Sequence, residues 1–371
     1  MGNRQGARTG NRAPTLEDVA REAGVSRATV SRVVNGVRNV APDIQRAVRD
    51  AVARTGYTPN QAARSLVTRR TGTVALVLSA TGKAFAARVF SDPFFGRVVD
   101  GVLPVLRERA IQPVLLVAES EQARTQLVEY LRRGGADGAL VVSLDEDDPL
   151  PAMLVAADVP TVLFGRPRAP LRCGFVDLDN AAGARLAAEH LWATGRRHPA
   201  TIAAPVTAPT AGERLDGFRE AFAARGVTSV PVVRGRFTVD SGRRAMARLL
   251  EDHPGIDAVF AANDLMAQGA CQYLRERGVA VPGAVAVVGF DDSVAARRAR
   301  PPLTTVRQPV ERMAAAMAGL LVEELDGGGS SAEPAPKPSQ GGAPKPSGAA
   351  SKPSGAASKV FDPVLVVRES T

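Results

Sequence analysis

Apolar positions along this chain follow three successive patterns. Between Thr15 and Tyr57 they recur at helical spacing. Leu16, Val19, Ala20 and Ala23 stand at i, i+3, i+4 and i+7, which predicts one buried helical stripe. Thr15 and Asp18 have capping-box spacing ahead of that stripe, and Gly24 ends it in a tight turn. Ser26 is placed to cap a second helix running through Asn35, with Val30, Val33 and Val34 inward and Arg27, Ala28, Ser31 and Arg32 outward. Pro42 opens a third helix, with Ile44, Ala47, Val48 and Val52 inward. From Thr73 short apolar runs alternate with amphipathic stretches. The runs are Val74–Leu78, Val114–Val117, Ala139–Val142, Thr161–Phe164, Thr201–Ala204, Ala258–Phe260 and Val285–Val288. Between them 94–109, 122–133, 180–194, 212–225, 241–251, 264–277 and 310–325 have helical periodicity. This alternation predicts parallel sheets covered by helices, and about 230 residues of it suffice for two lobes.

The third pattern is the absence of one. Residues 326–359 are rich in Gly, Ser, Pro, Ala and Lys, with KPSGAAS in tandem at 345–351 and 352–358. So little apolar surface cannot offset the entropy of ordering, so the stretch reads as a flexible insertion. The apolar run Val364–Val367 follows, which implies that the chain folds back into the preceding domain. Residues 1–14 read as a disordered arm.

Charge sharpens the division. The 371-residue chain carries a formal +9, of which +8 lies in residues 1–70 and +1 in the remainder. A basic segment on a near-neutral body points to a polyanion. A helix, a glycine turn and a short Arg-bearing helix make a helix-turn-helix, so duplex DNA is the expected partner. Arg27 and Arg32 are the base-reading candidates, since the guanidinium fork matches a guanine edge. Ala28 could touch only a thymine methyl. Thr15, Thr29, Ser31 and Asn35 are better suited to phosphates.

The segment TLEDVAREAGVSRATVSRVVNGVRNVAPDIQRAVRDAVARTGYTPNQAARSL (15–66) resembles the head of the lactose-repressor (LacI) family. The resemblance implies a DNA-binding domain at 15–59 and a hinge at 60–71 that becomes helical on operator DNA. Asn60 and Ala63 would then face the minor groove, with Leu66 wedged between base pairs, a known way to kink a duplex. Ala41 stands where the family often has a capping Ser.

The resemblance continues through DPFF (92–95), FVDLDNAAGARLAAEHL (175–191), ERLDGF (213–218), AANDLMAQGA (261–270), VAVVGFDDS (285–293), PPLTTVRQP (301–309) and LVVREST (365–371). It implies an α + α/β chain: a three-helix head, a hinge, then two Rossmann-like lobes of the periplasmic-binding-protein kind. The N-lobe is expected at 72–172 with 303–330, and the C-lobe at 173–302 with 360–371. A cleft between lobes is a favoured ligand site. Asp92, Arg214, Asn263 and Asp291 are expected to supply its polar contacts, Phe94 and Phe237 its apolar faces, and Thr210 a further hydroxyl. Arg166 is expected either to touch the ligand or to pair across the lobes. Phe95 is expected in the core and Asp264 as a helix cap. A sugar effector is favoured. Purine-binding relatives carry an extra Arg at the position of Ala208, which weakens the purine or nucleoside alternative. With no leucine heptad after 367, the resemblance implies a homodimer reading a near-palindromic operator, as a repressor by the family's usual outcome.

Other classes fit poorly. No GxGxxG follows a strand, no HExxH occurs, and the three histidines are scattered, so no enzyme, cofactor or metal site is expected. Two distant cysteines and no 18-residue apolar run suggest a reducing cytoplasm and no membrane span. A solute-binding protein without a DNA role would match the second half alone.

If Leu66 wedges the operator, Leu66→Ala weakens sequence-selective operator binding by about tenfold or more in a fluorescence-anisotropy titration. Selective binding indifferent to Leu66 would remove the wedge.

Overall fold

The computed structural model describes residues 14–34, 40–58, 70–80, 92–208, 210–327 and 357–371. Asn35, the expected hinge residues Asn60, Ala63 and Leu66, residues 1–13 of the arm and residues 328–356 of the insertion lie outside these. The chain divides after Thr71 into two compact units.

In the first unit, α1 (Leu16–Ala23), α2 (Arg27–Val34) and α3 (Pro42–Thr55) pack about Val19, Ala20, Val30, Val48 and Ala51. Asp18 closes the first turn of α1 by accepting from the Thr15 amide at 2.9 Å and its hydroxyl at 2.8 Å. Gly24 takes φ +66°, a conformation that costs glycine little. Ser26 Oγ accepts from the Thr29 amide at 3.1 Å and so caps α2. One expectation fails: Ile44 is exposed. The inward stripe of α3 runs through Val48, Ala51 and Val52, and Ile44 lies in its first turn, beyond that stripe.

The second unit alternates strand and helix. In chain order it runs β1 (Thr73–Ser79), α4 (Pro93–Glu108), β2 (Gln112–Ala118), α5 (Glu121–Arg132), β3 (Ala139–Ser143), α6 (Leu150–Ala156), β4 (Thr161–Phe164) and β5 (Gly174–Leu178). It continues α7 (Asn180–Ala193), β6 (Pro199–Ala203), α8 (Ala211–Ala223), β7 (Val232–Arg234), α9 (Val239–Asp252), β8 (Ala258–Ala261), α10 (Asp264–Glu276) and β9 (Ala286–Asp291). It closes with α11 (Val294–Arg298), β10 (Thr304–Arg307), α12 (Val310–Gly327), β11 (Ser358–Phe361) and β12 (Val364–Val366). Two six-stranded sheets result, ordered β11-β5-β4-β3-β1-β2 and β12-β10-β9-β8-β6-β7. Every pairing is parallel except β10 with β12. Six of the seven residues of β1 are buried, as a central parallel strand covered on both faces requires.

The lobe boundaries differ from those expected. Gly174–Leu178 belongs to the first sheet, because β5 pairs with β4 and buries Val176 and Leu178 in that lobe's core. Thr304–Arg307 belongs to the second sheet, beside β9. Ser358–Phe361 returns to the first sheet alongside β5, and only β12 joins the second. The chain therefore changes lobe near Asp179, near Gln308 and between Phe361 and Val364.

Helices α9 and α10 meet at two reciprocal glycines. A Cβ on Gly269 would overlap the Val239 carbonyl, and one on Gly242 would overlap the Met266 carbonyl. Each glycine thus admits the other helix's backbone. Gly269→Ala is expected to lower unfolding stability by about 1–3 kcal/mol, read as a lower urea midpoint with an unchanged slope.

Candidate functional site

Two surfaces carry the chemistry. On α2, Arg27, Ala28 and Arg32 are exposed, while Thr29 and Ser31 are half-buried. Arg27 pairs with Glu17 at 3.2 Å across an exposed edge, a contact of small energy that is open to exchange. The Thr29 hydroxyl lies 2.9 Å from that of Ser26, and Thr15 is spent on Asp18. The outward arginines are therefore the strongest donors of this helix.

The other surface is a cleft between the two sheets, a place where small-molecule sites are favoured. It lies where strands end: Ser143 closes β3, Phe164 closes β4 and Asp291 closes β9. Asp92, Phe94, Thr210, Arg214, Phe237, Asn263 and Asp291 all line it. Arg166 does not. Its side chain is 58% exposed and reaches Asp177 of the same lobe at 3.7 Å from an adjoining chamber, so it does not pair across the lobes either.

Arg214 is the centre of the cleft. It is buried, and its guanidinium stacks 3.6 Å from the centroid of the Phe290 ring. Nε donates to Asn180 Oδ1 at 2.9 Å, Nη1 to the Ala262 carbonyl at 2.6 Å and Nη2 to Gln308 Oε1 at 3.3 Å. Asp291 Oδ1 lies 3.7 Å from Nη1. A guanidinium has five N–H groups, so the fork is oriented by three and retains capacity for ligand oxygens.

The cleft's other polar groups are held from below. Asp92 caps α4 by accepting from the Phe94 amide at 3.0 Å. Asn263 caps α10 by accepting from the Met266 amide at 2.9 Å, and its Nδ2 donates to the Phe237 carbonyl at 3.4 Å. The expected cap, Asp264, is instead buried one residue further in, accepting from the Ser293 amide at 2.7 Å and the Thr305 hydroxyl at 2.6 Å. The Asn263 side chain already fills the cap position. Phe95 packs in the core and also reaches the cleft wall. Phe237 and Asp291 have φ of +60° and +107°, conformations unfavourable for residues with a Cβ.

Carboxylates here are held unusually far from water. Burial pushes Asp177 up to about 6, opposed chiefly by the Leu178 amide and reinforced by Glu213. Burial raises Asp264 to about 6 against its hydrogen bonds. Asp291 is raised well above the usual carboxylate range by burial, with Asp264 and Asp92 adding to the effect and Arg214 and Arg97 opposing it. A protonated carboxyl both donates and accepts, as a ligand rich in hydroxyls requires.

Four lining residues, Asp177, Asn180, Gln308 and Phe164, were not singled out by sequence reasoning. The first two lie in FVDLDN and Gln308 in PPLTTVRQP, so the motifs that signal them were in view. The Glu146 amide donates to the Thr207 carbonyl at 2.7 Å and joins the two lobes. Among the described residues no group of His, Cys, Asp and Glu could hold a metal ion, and no helix is long and apolar enough to cross a membrane.

Known proteins share this arrangement. The model for bacterial regulatory proteins of the lacI family matches residues 15–60, and that for a periplasmic binding protein-like domain matches residues 188–340. The HTH-type transcriptional regulator CelR of Thermobifida fusca is 48% identical over 320 residues, 85% of this chain and 93% of CelR. GalR of Escherichia coli (strain K12) is 35% identical over 319 residues, 84% of this chain and 89% of GalR. The solved CelR–cellobiose complex aligns with a TM-score of 0.70 at 42% identity, covering 96% of this chain and all of that one (100%). The Lac repressor dimer bound to operator and an anti-inducer has a TM-score of 0.76 at 23% identity, covering 97% of this chain and 99% of that one, a likeness of fold.

The Asp177 carboxyl allows a direct check. Its folded value near 6 lies above the ordinary 3.8, so the folded state keeps a proton that the unfolded chain has released between those values. Stability from this group is therefore full below the lower value and is lost as pH rises through the window. Asp177→Asn has no such loss. Measured by urea unfolding, the variant is expected to gain about 1–3 kcal/mol on the parent between about pH 4 and pH 7. A difference independent of pH would contradict this.

Proposed function

The chain belongs to the lacI family of bacterial regulatory proteins, and on that premise we propose that it is a sugar-responsive transcriptional regulator whose head binds operator DNA and whose cleft takes a gluco-disaccharide. The observation that carries the sugar assignment is the Arg214 cluster. A guanidinium, three amides and three carboxyls converge on one cavity with the aromatic faces of Phe94, Phe164 and Phe237. Hydroxyl pairs need such a mixed donor and acceptor set, and the flat face of a pyranose needs an apolar surface. Cellobiose is the first candidate, because the CelR complex named for it resembles this chain over nearly its whole length. Ala208 lines the cleft with a methyl group and offers no extra cation for a purine.

In this reading two copies bind a near-palindromic operator in the cytoplasm, with Arg27 and Arg32 at base edges and the 60–71 hinge on the minor groove. The sugar binds the DNA-free and DNA-bound states unequally and so shifts the balance between them. It is bound and released unchanged. The regulator represses when the DNA-bound state prevails.

A fluorescence-anisotropy titration with a pool of palindromic operators, with and without cellobiose, tests the reading. Selective binding is expected to change at least about tenfold on adding the sugar. Arg214→Lys is expected to lower sugar affinity by about a hundredfold, since a lysine cannot reproduce the fork. Operator binding that no gluco-disaccharide alters would remove the sugar assignment and leave the DNA role.

A further inference from the structure

The cleft is not the only cavity between the lobes. A second chamber, of about 1020 Å³, adjoins it and shares Ser143, Phe164 and Gly165 as lining. Asp177 faces the inner cleft and Arg166 the outer chamber, with 3.7 Å between Asp177 Oδ2 and Arg166 Nε. On α8 the neighbours divide the same way: Arg214 lines the inner cleft, and Glu213 and Asp216 line the outer chamber.

The outer chamber presents polar groups from both lobes. Arg166 and Arg168 come from the loop after β4, and Glu213 and Asp216 from α8. Its cations are only loosely committed. Arg168 reaches Asp147 at 3.1 Å and Glu146 at 3.6 Å with its side chain 64% exposed, and Arg166 lies 5.6 Å from the centroid of the Phe175 ring. Exposed pairs of this kind exchange partners at little energetic cost. One wall is rigid by contrast. Asp148 accepts from buried Arg124 at 3.0 Å and from the Ser143 hydroxyl at 2.8 Å. Arg124 Nη2 behind it has no hydrogen-bond partner among the described residues.

We infer that the outer chamber is an extension subsite, so that the preferred effector is a linear gluco-oligosaccharide of three or more units rather than a disaccharide. This rests on the sugar reading of the inner cleft. Two units would occupy the Arg214 cavity, and the chain would continue past Phe164 and Gly165, displacing the weak Arg166–Asp177 pair. Hydroxyl pairs of the third unit would then meet carboxylates and guanidinium forks from both lobes. Phe164 and Leu171 in the chamber lining supply the apolar surface that the flat face of a pyranose needs. A ligand that touches α8 and the β4 loop together also favours lobe closure beyond what the inner cavity achieves alone.

Isothermal titration of the full chain with cellobiose, cellotriose and cellotetraose tests this. Cellotriose is expected to bind about tenfold tighter than cellobiose. The double variant Arg168→Gln/Asp216→Asn, which alters two exposed side chains outside the inner cleft, is expected to bring that ratio to about one with cellobiose affinity unchanged. Equal affinity for the two sugars in the parent, or a trimer preference that the variant leaves intact, overturns the extension subsite while keeping the disaccharide reading. Failure of all three sugars to bind overturns both. Binding of the longer sugars alone supports the subsite.

Discussion

Everything in the ligand-binding unit turns on a positive charge kept out of water. Arg214 is buried, and desolvating a guanidinium costs several kcal/mol unless its hydrogen bonds are replaced. The replacements come from places the chain must bring together to form two lobes. Asn180 stands just after the first crossover and Gln308 at the second, while Ala262 follows β8 and Asp291 closes β9 in the second sheet. One side chain therefore connects both linkers to one lobe. Asp291 reaches the guanidinium, at 3.7 Å, from a backbone of positive φ.

Arg97 performs the matching task outside the cleft. Its fork grips Glu311 at 2.6 and 2.9 Å and also donates to the carbonyls of Asp291 and Gln308 at 3.0 Å each. The first lobe's α4 is thereby tied to the backbone of the very residues that approach Arg214. Asp292, next along, is held below the ordinary carboxylate range despite its burial by hydrogen bonds from Arg368 and Arg307. Adjacent carboxyls are thus driven in opposite directions: Asp291 towards protonation in the cleft, and Asp292 towards a fixed charge outside it. A pair so divided senses the inner cavity with one member and anchors to the lobe with the other.

Much of this was legible in the sequence. The head could be read from period and punctuation, because Thr15, Ser26 and Pro42 mark the helix starts and Gly24 the end of the first helix. The strands at Val74–Leu78 and Ala139–Val142 declared themselves as apolar runs. Gly174–Leu178 did not, since Asp177 interrupts its apolar pattern and its burial depends on β11, which arrives from almost two hundred residues away. Asn263 and Asp264 look interchangeable as helix caps. Only the packing of Thr305 and Ser293 decides which one is drawn inward. Ile44 carried an inward apolar signature that a short three-helix core is too small to use. Arg166 at the ligand or in a cross-lobe pair is what the resemblance implies, but which of two adjoining chambers it enters depends on packing that no local spacing encodes.

The bond between the Glu146 amide and the Thr207 carbonyl has a kinetic consequence. It joins the two lobes with a neutral hydrogen bond, which contributes about 1 kcal/mol net. A link that weak breaks far more often than a tightly held ligand detaches. The residence time of a bound ligand is then governed by the grip of Arg214 and its neighbours, and entry is barely slowed. Such a receptor follows a rise in ligand concentration promptly and forgets it only as fast as the ligand's own contacts allow.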